Sequence, residues 1–208
     1  MGLRLFLLRH AETAWNRERR YQGWTDTGLS DAGRTQAEAA GRALAGASLQ
    51  AVYASPLRRA QETAAAIAAP HGLSVRVEEA FKEMGFGGWE GLTVEEARAQ
   101  EPALYRTWLE TPHLAGPPGG ERLPDVKRRV LAGLERLREG HDEESICLVA
   151  HGITARILIL EALGLPLPRI WSLHVSSAGI SELEFRPDWT ALHRMNTLVH
   201  LDAVLAGR

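Results

Sequence analysis

Apolar residues along this chain gather in short runs, too brief for helices, and most of the runs end in a polar or charged group. Leu3–Leu8 begins the pattern, and its second half, Leu5 to Leu8, is entirely apolar. It reads as a buried strand. LQAVYA (Leu49–Ala54) and SICLVA (Ser145–Ala150) have the same character, while LSVRVEEA alternates as a half-buried strand would. Ser30 is placed to cap an alanine-rich helix running to about Ala45, with Gly46 just beyond its end. Ser55-Pro56 reads as an N-cap followed by proline in the first helical position. Two more helices are expected, around Val94–Gln100 and from about Pro124 to Glu139, and between them lies the Pro/Gly-rich loop TPHLAGPPGGE. A last helix, Ile153–Leu163, follows His151-Gly152, and ISELEF and TALHRMN are candidate strands in the tail. Strands alternating with helices predict an α/β sandwich whose sheet is mostly parallel in its centre. No repeat, low-complexity tract or linker divides residues 1–208, so a single domain is expected.

Composition narrows the possible functions. A chain of 208 residues can bury one sizeable core, and its 45% hydrophobic and 24% charged residues are ordinary for a soluble protein. A net charge of -2 gives no general attraction to nucleic acid or an anionic membrane. Cys147 is the lone cysteine; it rules out an intramolecular disulfide, argues against a cysteine-based metal cluster, and reads as a small core hydrophobe. No signal-peptide pattern and no apolar run of bilayer length occur, so a cytoplasmic location is expected. Lysine appears only at Lys82 and Lys127 and arginine carries the remaining positive charge, which makes any single arginine a weak signal.

The chemistry lies at the strand ends. The first strand finishes at Arg9-His10, the second at Ser55 with Arg58 and Arg59 close behind, and the fourth at His151-Gly152. In open α/β sheets ligands bind beyond the carboxyl ends of the strands, so these groups are expected to share one site. Two imidazoles with two or three guanidiniums suit a phosphoryl group. Arginine binds its oxygens through a permanent planar fork, and helix N-termini at Ser55 and Gly152 would aim N–H groups at the same anion. One histidine can then act as nucleophile and the other as a donor to the transferring oxygens. A general acid is also required. Glu83 and Glu90 in the glycine-rich loop FKEMGFGGWEG are both available, with Glu78 and Glu79 nearby. No metal is expected, because neither a His pair at i, i+4 with a glutamate nor a carboxylate cluster with two-metal spacing occurs. Motifs for a P-loop or a dinucleotide fingerprint are absent too.

Together these segments resemble the histidine phosphatase, or phosphoglycerate mutase-like, superfamily. LLRHAETAWN is similar to its R-H-G-x-T-x-x-N signature, and YQGWTDTGLSDAGRTQA resembles the segment that follows. YASPLRRAQETA resembles its S-x-L-x-R-A-x-x-T-A helix start, KEMGFGGWEGLT its acid loop and LVAHGITARIL its second histidine motif. The likeness runs in order from Leu3 to about Leu163. It implies a three-layer α/β/α sandwich, with His10 the nucleophile that becomes phosphohistidine and Glu83 the proton donor. By the same likeness Arg9, Arg59 and His151 form the phosphate pocket; Arg59, not Arg58, matches the family position before the alanine. Asn16, Gln22 and Gly23 would line the pocket, and Gly152 and Ile153 would add backbone N–H groups. Trp15, Trp24 and Trp89 are expected to pack around the site. No cofactor is implied, and the partner would be a small phosphate ester.

Two departures from the pattern stand out: Ala11 replaces the usual glycine after the nucleophile, and Arg122 stands where a serine is frequent after the Gly-Gly-Glu of PPGGE. The mutases of the superfamily carry a long insertion between the acid and the second histidine, and the shorter stretch here favours hydrolysis over phosphoglycerate mutase activity. Candidate substrates are phosphoserine, α-ribazole phosphate, sugar phosphates and phosphoglycerates, with selectivity expected in Thr93–Glu121 and the C-terminal tail. A non-catalytic module on the same fold would be expected to have lost a catalytic position, and none is lost. The apolar stretch TLVHLDAVLAG could dock on its own domain or on a partner subunit, and the resemblance favours a homodimer.

Overall fold

In the computed structural model, which describes residues 2–202, the apolar runs pair into one six-stranded sheet. The strands are β1 (Leu3–Arg9), β2 (Leu49–Ala54), β3 (Val75–Val77), β4 (Glu144–Ala150), β5 (Ile180–Phe185) and β6 (Thr190–Thr197). Their order is β3-β2-β4-β1-β5-β6, parallel from β3 through β1 and antiparallel for β5 and β6. The helices are α1 (Ala14–Arg17), α2 (Asp31–Leu44), α3 (Arg58–Ala68), α4 (Val94–Gln100), α5 (Pro102–Glu110), α6 (Leu123–Gly140) and α7 (Gly152–Ala162).

Alternation along each strand separates two cores. Leu3, Leu5 and Leu7 of β1 and Ile146, Leu148 and Ala150 of β4 pack with Val126, Val130 and Leu134 of α6 and with α7. Leu8, Val52, Cys147 and Val149 face the other way, onto Ala40 and Leu44 of α2 and Ala60, Ala64 and Ile67 of α3. The result is the expected α/β/α sandwich, with Cys147 fully buried as a core side chain. Helix α7 is apolar nearly all round, as a helix sunk in a core must be; only Arg156 and Glu161 fall outside its buried set.

Ser30 caps α2 as expected, its hydroxyl accepting the Gly33 N–H at 3.0 Å. Three local expectations need correction. LSVRVEEA yields only three strand residues, because β3 is an edge strand pairing with β2 alone, and the Glu78 carboxylate starts a turn by accepting the Ala80 N–H. Helix α3 begins at Arg58, two residues beyond Pro56, and its N-cap Leu57 makes no side-chain cap. Helix α5, with Pro102 in its first turn, was not expected; the backbone breaks at Glu101 before that proline and restarts. No described helix is long and apolar enough to cross a membrane. The end of TLVHLDAVLAG, residues 203–207, lies outside the described residues.

Helices α2 and α3 approach closely at Gly41, where an added Cβ would lie 2.3 Å from the Ala66 carbonyl oxygen. We expect Gly41→Ala to destabilise the fold by about 1–3 kcal/mol in urea unfolding, even though alanine is the better helix former by about 1 kcal/mol. Gly46→Ala, where nothing lies within 4 Å of the added methyl, should show no such loss. Equal midpoints for the two variants would refute the close-approach explanation.

Candidate active site

The register of β1 against β4 brings the two histidines together. Arg9 pairs with Ala150, and the ladder continues one step further, with the His10 N–H donating to the Ala150 carbonyl at 2.9 Å. His10 and His151 therefore leave neighbouring strands at the same height, and their ring centroids are 5.1 Å apart. Ser55 arrives from β2 on the other side of β4, its N–H bonded to Val149 O at 3.1 Å. Its hydroxyl lies 2.7 Å from His151 Nε2. Ser55 is thus not the helix cap expected at this position but a partner of the second histidine.

Of the two adjacent arginines, Arg59 is fully buried, while Arg58 pairs with Glu62 at the surface. Arg59 donates to Thr25 O (2.9 Å) and Gly23 O (2.8 Å), and Arg9 donates to Val175 O (2.9 Å). Gly23 presents its carbonyl from a left-handed conformation, φ +52°, where a Cβ would strike Glu90. Glu90 itself accepts N–H groups from Trp24, Thr25 and Phe86 and the Thr25 hydroxyl. Its carboxylate is committed to holding that loop, which separates it from Glu83.

Glu83 is 8% exposed and its carboxylate accepts the Met84 N–H at 2.9 Å and the Ile153 N–H at 3.3 Å. The Ile153 N–H, expected to face a phosphoryl group, is thus aimed at Glu83. Arg129 fixes the acid's main chain by donating to Ala80 O, Lys82 O and Glu83 O, while Glu121 pairs with Arg129 and accepts the Gly85 N–H. Glu121 belongs to the PPGGE segment, so that segment braces the acid loop. Arg122, the residue after it, reaches Leu114 O and does not cap α6. Glu78 pairs with Arg136 and Glu79 is exposed.

These groups border a cavity of about 310 Å³. Of the ten sequence-derived candidates, Arg9, His10, Asn16, Gln22, Gly23, Arg59, Glu83, Gly152 and Ile153 line it, and His151 lies fully buried against His10. The oxygens of Asn16 and Gln22 accept hydrogen bonds from Thr13, and their NH₂ ends have no partner among the described residues. None of Trp15, Trp24 and Trp89 lines the cavity; Trp24 donates its indole N–H to Glu83 O at 2.8 Å, and Trp89 packs in the core. Sequence reading missed Arg20, Tyr21, Phe86, Tyr105, Trp108, Leu109, Arg156 and Trp171. Arg156 carried one legible signal, which the abundance of arginine masked: a charge at i+4 from Gly152 in a mostly apolar helix whose other charge, Glu161, lies at the far end.

Burial sets the protonation states. Desolvation, reinforced by Arg59 and Arg9, holds both His10 and His151 well below the ordinary imidazole value of 6.5. Burial also lowers Arg59 to about 10, where it remains charged at neutral pH. His10 Nδ1 lies 2.7 Å from the Ala11 carbonyl, which can only accept, so Nδ1 carries the hydrogen and Nε2 the lone pair. For His151, Nε2 lies 2.7 Å from Ser55 Oγ, which also accepts the Leu57 N–H at 3.3 Å; in the tautomer where Ser55 donates to Nε2, the ring hydrogen is on Nδ1. That Nδ1, together with Arg9 Nε and Arg59 Nε, is buried without a hydrogen-bond partner among the described residues. Ala11 carries no strain: it is absent from the left-handed residues, its N–H is held by Thr63 at 3.0 Å, and its methyl packs with Leu29 and Ala178.

Residues 5–198 match the family described as the histidine phosphatase superfamily (branch 1). Phosphoserine phosphatase 1 of Hydrogenobacter thermophilus is 35% identical over 199 residues, covering 96% of this chain and 94% of that protein. Among solved structures, Bacillus stearothermophilus YhfR aligns with a TM-score of 0.91 at 31% identity, covering 96% of this chain and 100% of that one. The mycobacterial glucosyl-3-phosphoglycerate phosphatase Rv2419c aligns with a TM-score of 0.86 at 31% identity, covering 95% and 100%.

The neutral histidines make stability depend on pH. Their folded values lie below 6.5, so beneath that pH the unfolded chain binds more protons and stability falls as pH drops. Two such groups give a slope of up to about 2.7 kcal/mol per pH unit, and half-buried His200 adds a further contribution of the same sign. The carboxylates held below 4.5, such as Glu62 and Glu184, titrate under this window. Urea unfolding in phosphate-free buffer between about pH 7.5 and 5.5 should show the loss, reduced in His10→Gln and in His151→Gln. A flat wild-type profile would contradict buried neutral imidazoles.

Proposed function

The chain belongs to the histidine phosphatase superfamily, and we propose that it hydrolyses phosphate monoesters of small metabolites through a phosphohistidine at His10. The observation that carries this reading is the set of three unpartnered buried nitrogens, Arg9 Nε, Arg59 Nε and His151 Nδ1, beside an imidazole whose Nε2 lone pair is free. Buried polar groups are rarely left unpaired, and a phosphoryl group supplies three acceptor oxygens to such donors. The relatives support the same reading, since one is named a phosphoserine phosphatase and another a glucosyl-3-phosphoglycerate phosphatase.

In the first half-reaction His10 Nε2 forms a bond to phosphorus as the ester P–O bond breaks, and Glu83 gives its proton to the departing alkoxide. Arg9, Arg59 and His151 donate to the phosphoryl oxygens, on which negative charge builds. Water then takes the alcohol's place, and Glu83, now a carboxylate, accepts its proton. The water oxygen bonds to phosphorus, the P–N bond breaks, and inorganic phosphate leaves with His10 restored. Throughout, the Nδ1–H bond to Ala11 O keeps the ring oriented. The neutral state of His10 makes it nucleophilic without prior deprotonation. Hydrolysis rather than mutase transfer is favoured by the modest length of chain between Glu83 and His151.

Turnover of p-nitrophenyl phosphate in EDTA tests this directly. His10→Ala should reduce it by about a thousandfold or more. An alkaline quench of wild-type enzyme during turnover should trap a phosphoryl group that is stable to base and lost in acid. Glu83→Gln should lower kcat by about 10²–10⁴ for alkyl phosphates and far less for p-nitrophenyl phosphate, whose phenolate leaves without a proton. Unchanged activity in His10→Ala would sink the proposal.

A further inference from the structure

The phosphoryl chemistry employs Arg9 and Arg59 and leaves a third cation, the half-buried Arg156, in the same cavity without a task. Arg156 lies one turn into α7, and its Nε donates to Leu173 O at 2.9 Å. Its guanidinium sits over the Trp171 ring, 5.6 Å from the centroid, and Trp171 is itself fixed by donating Nε1–H to Trp108 O at 3.1 Å. Nη1 is 3.3 Å from the Gly152 carbonyl, and Nη2 has no hydrogen bond among the described residues. A single point, where a Cβ on Gly152 would stand, is 3.4 Å from Arg156 Nη1, 3.6 Å from Glu83 Oε2 and 3.9 Å from Arg9 Cζ. Arg156 therefore borders the reacting end of the cavity on one side and its aromatic wall on the other. Burial lowers it only to about 10, so it is charged at neutral pH. No described carboxylate forms an ion pair with it, unlike Arg20 at the cavity rim, which pairs with Glu18 and Glu96.

Charge balance indicates what the cation meets. With Glu83 carrying the proton it donates and both histidines neutral, four guanidiniums line the cavity. Arg20 is paired with Glu18 and Glu96, and those of Arg9, Arg59 and Arg156 have no carboxylate ion-pair partner among the described residues. A phosphate dianion offsets two of them. A carboxylate offsets the third and matches the planar fork of a guanidinium already held by Leu173 O and lying over Trp171. We propose that Arg156 receives a carboxylate on the alcohol portion of the ester, so that the preferred substrates are phosphorylated hydroxy acids with the carboxylate a few bonds from the ester oxygen. This rests on the phosphatase reading and narrows it.

Matched substrates that differ at one group provide the test: 3-phosphoglycerate against glycerol 3-phosphate, and O-phosphoserine against O-phosphoethanolamine. In wild-type enzyme kcat/KM for the carboxylate member should exceed that for its partner by about 10- to 100-fold, the range for a charge-assisted hydrogen-bonded pair. Arg156→Met should collapse this ratio and Arg156→Lys should keep an intermediate one. Equal turnover of both members by the wild-type enzyme overturns the assignment without recourse to any variant, and so does an Arg156→Met enzyme that is slower but equally selective. The carboxylate-free p-nitrophenyl phosphate reports the phosphatase reading by itself. Its hydrolysis without carboxylate preference overturns the Arg156 assignment alone, whereas no hydrolysis of any ester overturns both.

Discussion

Two permanent cations at the carboxyl edge of the sheet, Arg59 fully buried and Arg9 half-buried, constrain everything around the cavity. Removing a charged group from water costs several kcal/mol even after relaxation, and no carboxylate pairs directly with Arg9 or Arg59 among the described residues. Backbone carbonyls take that place: Val175 for Arg9, Gly23 and Thr25 for Arg59. Each carbonyl comes from a loop far from its arginine in sequence, so the paths of these loops are coupled to where the guanidiniums sit. The left-handed turn at Gly23 and the hydrogen bonds Glu90 accepts from that loop serve this end. They aim carbonyls inward.

The same cations decide the state of the imidazoles. A histidine beside two guanidiniums and out of water is held neutral, and neutrality is what a nucleophilic ring requires. Neutrality alone does not orient the ring, however. Ala11 O fixes the hydrogen of His10 on Nδ1, and the Ser55 hydroxyl holds the His151 ring through Nε2. The first contact depends on the backbone at Ala11, anchored by Thr63, whose own hydroxyl donates to Arg59 O. One threonine thus links the segment carrying the nucleophile to the helix carrying a phosphate-side arginine. Alanine serves at position 11 because that backbone is not left-handed.

What could be read from the sequence was what short-range pattern encodes. Apolar runs ending in Arg9-His10 and His151-Gly152 located the strands and both imidazoles, since strand register follows from burial. A turn of about 100° per helical residue separated Arg59 from Arg58, and the structure buries the first and pairs the second with Glu62. Less was legible where a role depends on a distant partner. Ser55 has the appearance of a cap, and only its contact across β4 reveals its histidine. Glu83 and Glu90 are equivalent as letters, and they part because Glu90 meets four donors of other residues. Helix α5 is short and opens on a proline, so its periodicity is too brief to announce Trp108 as a cavity wall.

The arginine-rich composition, which blunted every inference from a single arginine, has a structural use at this site. Arg129 spans the carbonyls of Ala80, Lys82 and Glu83 while pairing with Glu121, and Arg156 holds Leu173 O. With Arg9 and Arg59, that makes four guanidiniums stitching loop carbonyls around one cavity. A guanidinium has five N–H donors in a rigid plane, so it can satisfy two or three carbonyls and still turn an N–H toward a ligand. An ammonium on a flexible stem would do one task or the other. The acid loop is anchored in the core by Phe81, Met84, Phe86 and Trp89, and these cations fix the carbonyls that the apolar anchors leave over while providing the charge that an anionic substrate meets.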